Sequence, residues 1–130
     1  MPTAIAQYSR AYEIEKVKRT LSSSAWRALL DNLGMGYGMS GALDKSQQVF
    51  EYGISKDPDY PMFRYNMACV YAGRGDWKAS IRYLDEAYAR KANMIPGEPI
   101  PDPWTDDSFQ RFMKEPGFTT ALARIYPKGK

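Results

Sequence analysis

The sequence contains no histidine and a single cysteine, Cys69. Without an imidazole, the usual neutral-pH general base and the commonest transition-metal ligand are both missing. A lone thiol permits neither an internal disulfide nor a cysteine-based metal site. Within "NMACVY", Cys69 reads as a small buried hydrophobe, because no adjacent residue supplies the positive charge that activates a thiol. No apolar run approaches the ~18 residues of a membrane span. The opening "MPTAIAQYSR" lacks a charged n-region followed by an apolar h-region. The expectation is a soluble, cytoplasmic chain with no membrane partner, or else a processed piece of an exported parent. Blocks of like charge are absent too: 18 Lys and Arg are interspersed with 15 Asp and Glu, for a net charge of +3, so nothing points to nucleic acid.

What is present is aromatic. Ten Tyr, five Phe and three Trp in 130 residues, with a quarter of the chain charged, mark a folded protein of one domain, residues 1–130.

Sliding the sequence against itself yields one strong offset, 34 residues. Asn32 falls on Asn66, Leu33 on Met67, Gly34 on Ala68, Tyr37 on Tyr71, Gly41 on Gly75, Ser46 on Ser80 and Phe50 on Leu84. Small residues meet small ones, and large apolar residues meet their like. A fixed period in this range marks stacked repeat units. Within the first unit Trp26, Leu29, Leu30, Leu33 and Tyr37 recur at helical steps. After Gly41, Leu43, Ser46, Val49, Phe50 and Ile54 do the same. Each unit is therefore expected to be two antiparallel helices, with Gly41 and Gly75 at the turns and Asp57-Pro58 closing the first unit.

The residues Leu30, Leu33, Gly34, Tyr37, Ser46, Phe50 and Pro58 resemble, in order and spacing, the tetratricopeptide repeat. Met67, Ala68, Tyr71, Ser80, Leu84 and Ala87 fill the matching slots of a second unit. Departures are Leu30 and Arg64 in place of the opening Trp, Gly53 at a usual Ala, and Ala92 in place of the second closing Pro. The resemblance spans Ala4 to about Ala92. It implies an all-α fold, a right-handed superhelical stack of antiparallel helix pairs with C-terminal capping helices. Residues 3–18 would be the second helix of a partial repeat, with Ala4, Tyr8 and Ala11 at its small-large-small spacing. Residues 24–60 and 61–92 would form repeats one and two, with Ser23 or Ser24 capping the first. Residues 93–105, rich in proline, read as an ordered loop. Residues 106–126 read as capping helices, opened by Asp107 with Gln110 as a capping box.

"GYGMSG", Gly36 to Gly41, matches the spacing of a dinucleotide-binding loop, but that loop must follow a strand. The preceding "SSSAWRALLDNL" reads as helix, so the glycines are taken as spacers and turn formers. "RGD" at Arg74 to Asp76 reads as a turn plus a helix cap, and the acids Glu98, Asp102, Asp106 and Asp107 lack the spacing of a calcium loop. No cofactor or metal is expected, and no catalytic role.

In the family that the repeats resemble, the first helices line a concave surface that binds peptides, often through an Asn. That resemblance implies a non-catalytic protein-binding module. The expected groove residues are Asp31, Asn32, Met35, Met39, Met62, Tyr65, Asn66 and Cys69. Asn32 and Asn66 are equally suited to bonds between neighbouring helices, and each methionine is divided between core and groove. The Lys and Asn pattern that clamps acidic chaperone tails is not met, since Asp31, Met35, Tyr65 and Cys69 stand on that face. The alternative is an assembly surface that pairs with another copy or with a longer parent chain.

Overall fold

The computed structural model describes residues 2–128, with side chains described from residue 4. Among the described residues all regular secondary structure is helical and there is no strand. Its α-helices are α1 (Pro2–Val17), α2 (Ser23–Met39), α3 (Leu43–Lys56), α4 (Pro61–Gly73), α5 (Trp77–Ala89) and α6 (Pro116–Ile125). Short 3₁₀ helices cover Lys91–Asn93 and Asp107–Phe112. Consecutive helices pack on one another, most extensively α4 on α5 and α2 on α3.

The 34-residue offset is written into the hydrogen bonds. The Ser46 hydroxyl donates to the Gly34 carbonyl at 2.7 Å, and Ser80 donates to Ala68 at 2.8 Å. At the turns, Ala42 N–H reaches Tyr37 O at 2.8 Å and Asp76 N–H reaches Tyr71 O at 2.9 Å. Both turns pass through a glycine of positive φ, 88° at Gly41 and 77° at Gly75. An L side chain in that region costs about 1–2 kcal/mol. Gly41→Ala and Gly75→Ala are each expected to lose about that much in denaturant unfolding. At Gly41 no atom crowds the added methyl, so the loss there would be conformational alone. A zero effect at both would contradict the turn geometry.

Two contiguous apolar clusters form the core. The first joins Trp26, Leu30, Leu33, Phe50, Phe63 and Met67. The second joins Tyr65, Ala68, Leu84, Phe109, Phe118 and Leu122. Burial of such side chains is worth ~1.5–3 kcal/mol each and supplies the main cohesion between helices. The proline-rich segment bridges the two, since Ile95 packs on the first cluster and Ile100 and Trp104 on the second. It is ordered by hydrogen bonds from the Tyr88 hydroxyl to Pro101 O and from Trp104 Nε1 to Tyr126 O, the latter at 2.6 Å. Phe109 and Phe118 carry the C-terminal segment onto α4 and α5.

Three local expectations are corrected. The cap of α2 is Ser22, whose hydroxyl accepts from Ala25 N–H at 3.2 Å, and not Ser23 or Ser24. Asp106, not Asp107, caps the next segment by accepting from Ser108 N–H, and that segment is 3₁₀. Gln110 instead donates to the carbonyls of Trp104 and Asp106. On α1 only part of the small-large-small face docks: Ala11 packs on the first core cluster, but Ala4 and Tyr8 are exposed, whereas Tyr12 and Glu15 are buried. Ile5 seats against Gly36, and the Glu15 carboxylate accepts from Thr20 N–H, Thr20 Oγ1 and Leu21 N–H, tying down the connection to α2. Those donors, Leu21 N–H foremost, hold the Glu15 carboxyl below its usual range.

Candidate functional site

Helical spacing places Met35 and Met39 on one stripe of α2, and Met62, Tyr65, Asn66 and Cys69 on the facing side of α4. Between them lies a cavity of about 360 Å³. Those six residues line it together. The floor includes buried Phe50 and Val70. Met35 (50% exposed) and Met39 (87% exposed) stand at its mouth. Gly38, in the last turn of α2, also lines the cavity; a Cβ there would meet Ser46 Oγ at 3.4 Å, an ordinary contact.

Asn32 and Asp31 are not among the lining residues. One residue along from Asp31, Asn32 is turned about 100° around the helix and is exposed. Its counterpart Asn66 is buried and donates through Nδ2 to Asp31 Oδ1 at 2.9 Å. The two asparagines, equivalent in sequence, therefore do different things. Asn66 ties α4 to α2 and also borders the cavity.

Asp31 is the centre of a small polar cluster. Its Oδ2 accepts from the Tyr60 hydroxyl at 3.3 Å. Arg27 lies over the Tyr60 ring, 4.3 Å from its centroid, but spends its charge on Asp57, with Nε 2.6 Å from Oδ2. Burial pushes the Asp31 carboxyl up to about 7, against the opposing pull of the bonds from Tyr60 and Asn66. Burial also raises the Cys69 thiol to about 12, with Ser108 offsetting part of that rise. Cys69 is thus a protonated, half-buried wall of the cavity at neutral pH.

The C-terminal segment supplies the part of the site that repeat spacing did not reveal. Pro101, Asp106 and Ser108 close one side of the cavity. Asp106 Oδ2 accepts from the buried Tyr65 hydroxyl at 2.6 Å, which holds the segment against α4. Arg111 adds a bond from Nη1 to Ala72 O at 2.8 Å. In the sequence, Asp106 stands out only as an acid without calcium-loop spacing. The usable signal was its pairing with Ser108 as a short cap, but nothing in that pattern indicates Tyr65.

The other motifs resolve locally. Gly36 and Gly38 lie inside α2, so the glycine-rich stretch is helix and turn. Arg74 of "RGD" pairs with Asp44 at 2.7 Å, and Asp76 caps α5 by accepting from Ala79 N–H at 3.0 Å. Among the described residues no three His, Cys, Asp or Glu side chains gather as metal ligands, and no helix is long and apolar enough to cross a membrane.

Compared with known family models, curated proteins and solved structures, the chain matches none of them.

Proposed function

We propose that the chain is a non-catalytic protein-binding module of the tetratricopeptide kind, its helical hairpins stacked as a right-handed solenoid, with the α2–α4 cavity receiving part of a partner polypeptide. The observation that carries this reading is the convergence of Met35, Met39, Met62, Tyr65, Asn66 and Cys69 around one cavity whose mouth is apolar and exposed. Methionine walls adapt to varied apolar shapes. At about 360 Å³ the cavity lies near the low end of ligand pockets, ~300–1,000 Å³. It suits one or two inserted side chains of a segment lying across the mouth. The recurrence of Ser46 to Gly34 and Ser80 to Ala68 at one interval supports the repeat assignment.

Cys69 provides the test, because it is the only cysteine and lies in the cavity wall. Peptides selected from a random library on the immobilised protein are expected to slow alkylation of Cys69 at least several-fold, measured with excess iodoacetamide at about pH 9 because the raised thiol yields little thiolate at neutral pH. They are also expected to lose affinity when Met62 is replaced by Glu. Peptides that bind without protecting Cys69 would move the site elsewhere.

A second reading, self-association, draws on α1. Ile14 (58% exposed) and Val17 (89%) stand three residues apart near the end of α1, and Leu21 (39%) follows in the connection to α2, which gives a row of exposed apolar side chains along the chain. A second copy covering that row predicts a dimer in sedimentation that Val17→Lys dissolves. A monomer at high concentration removes this reading.

A further inference from the structure

The cavity is lopsided in charge. Neither lysine nor arginine lines it, whereas Asp106 does. The Asp106 carboxylate accepts from Tyr65 Oη at 2.6 Å and from Ser108 N–H at 2.9 Å, so its orientation is fixed. No ion pair among the described residues involves it. Arg74 is engaged with Asp44 and Gln47, and Arg111 with the Ala72 carbonyl. Asp106 is half-buried, so water screens its charge less than at an open surface, and both its attraction for a cation and its repulsion of an anion are correspondingly stronger.

We propose that the occupant of the cavity is a protein segment in which a large apolar side chain is flanked by lysine or arginine, the apolar group entering between Met35 and Met62 and the cation settling at Asp106. This rests on the reading of the cavity as a protein-binding groove and adds the chemistry of the partner. The apolar contact supplies the affinity. Asp106 supplies the selection, rejecting acidic segments that would meet an uncompensated carboxylate. The selection runs against the molecule's overall charge of +3, which by itself favours acidic partners.

The test uses three synthetic peptides that share a Leu-Phe-Leu centre and differ only in flanks of Lys, Gln or Glu. Binding is measured by calorimetry and by protection of Cys69 from excess iodoacetamide at about pH 9, where the raised thiol gives a measurable rate and lysine keeps its charge. At low salt the Lys peptide is expected to bind about ten-fold more tightly than the Glu peptide, with Gln between, as one partly desolvated ion pair allows. Asp106→Asn is expected to narrow the gap. Met35→Lys, at a half-exposed position where folding is not at stake, is expected to erase or reverse it. Equal affinity of the Lys and Glu peptides, or preference for Glu, overturns the charge selection while leaving the groove in place. Failure of all three to bind or to protect Cys69 overturns both.

Discussion

Gly34→Ala is expected to destabilise the protein by about 3 kcal/mol, at the upper end of what overpacking a rigid core costs, and Phe50→Leu in the same chain is expected to restore most of that loss. A Cβ at position 34 would lie 2.3, 2.5 and 2.8 Å from three carbons of the Phe50 ring, inside any tolerable contact. The ring is only 1% exposed and has nowhere to swing. The backbone at Gly34 cannot retreat easily either, because its carbonyl accepts the Ser46 hydroxyl. Alanine's better helix propensity, up to ~1 kcal/mol over glycine, offsets only part of this.

The rescue is already written in the other repeat. The equivalent pair there is Ala68 and Leu84, both fully buried in one cluster. One hairpin uses a small residue against a large ring, the other a slightly larger residue against a smaller side chain, so the summed volume at the interface is nearly kept. Phe50→Leu alone is expected to lose about 1 kcal/mol or more through the space it leaves. A double-mutant cycle by chemical denaturation should give a favourable coupling of ~3 kcal/mol between the two changes, at the top of the range for residues in contact. Additive losses would mean that Gly34 and Phe50 do not meet as described, and the equivalence of the two hairpins would lose its strongest support.

This pair also marks what the sequence made legible. Gly34 on Ala68 and Phe50 on Leu84 are local matches at one interval, and helical periodicity turns such matches directly into facing surfaces. The methionines of α2 and α4 converge for the same reason. What the interval could not carry was contact between distant, unlike segments. Asp106 meets Tyr65 across 41 residues of irregular chain, and no period relates them. The docking face of α1 was likewise open, because Ala4 and Tyr8 on one side and Ile5, Tyr12 and Glu15 on another both fit helical spacing. The choice fell to what α2 and its connection offer: an opening at Gly36 for Ile5, and three donors at Thr20 and Leu21 for Glu15. Equivalent position did not fix equivalent role for the asparagines, since Asn66 is buried and has Asp31 to bind whereas Asn32 is exposed.

Asp31→Asn is expected to raise stability above pH 7 and to leave it nearly unchanged near pH 4. In the folded chain the Asp31 carboxyl titrates near 7, against ~3.9 when unfolded. Between those values the folded state holds the proton more tightly, so unfolding becomes easier as pH rises. The folded state has its full advantage below about pH 4, loses it progressively through the window from about 4 to 7, and stays at the lower level above. Three pH units at 1.36 kcal/mol each set a ceiling on the order of 4 kcal/mol for this loss. Asparagine preserves the local bonds, because its carbonyl can accept from Asn66 Nδ2 while its amide donates to the Tyr60 oxygen. It carries no charge to bury, and so should be free of the loss. The absence of histidine makes the measurement clean: apart from the terminal amine, common to both chains, the usual source of titration between pH 5 and 8 is missing. Denaturant midpoints from pH 4 to pH 8 should therefore diverge steadily in favour of the variant. Parallel curves, or a variant less stable at pH 8, would place an ionised and well-solvated carboxylate at position 31 and remove the burial on which the α2–α4 polar contact has been explained.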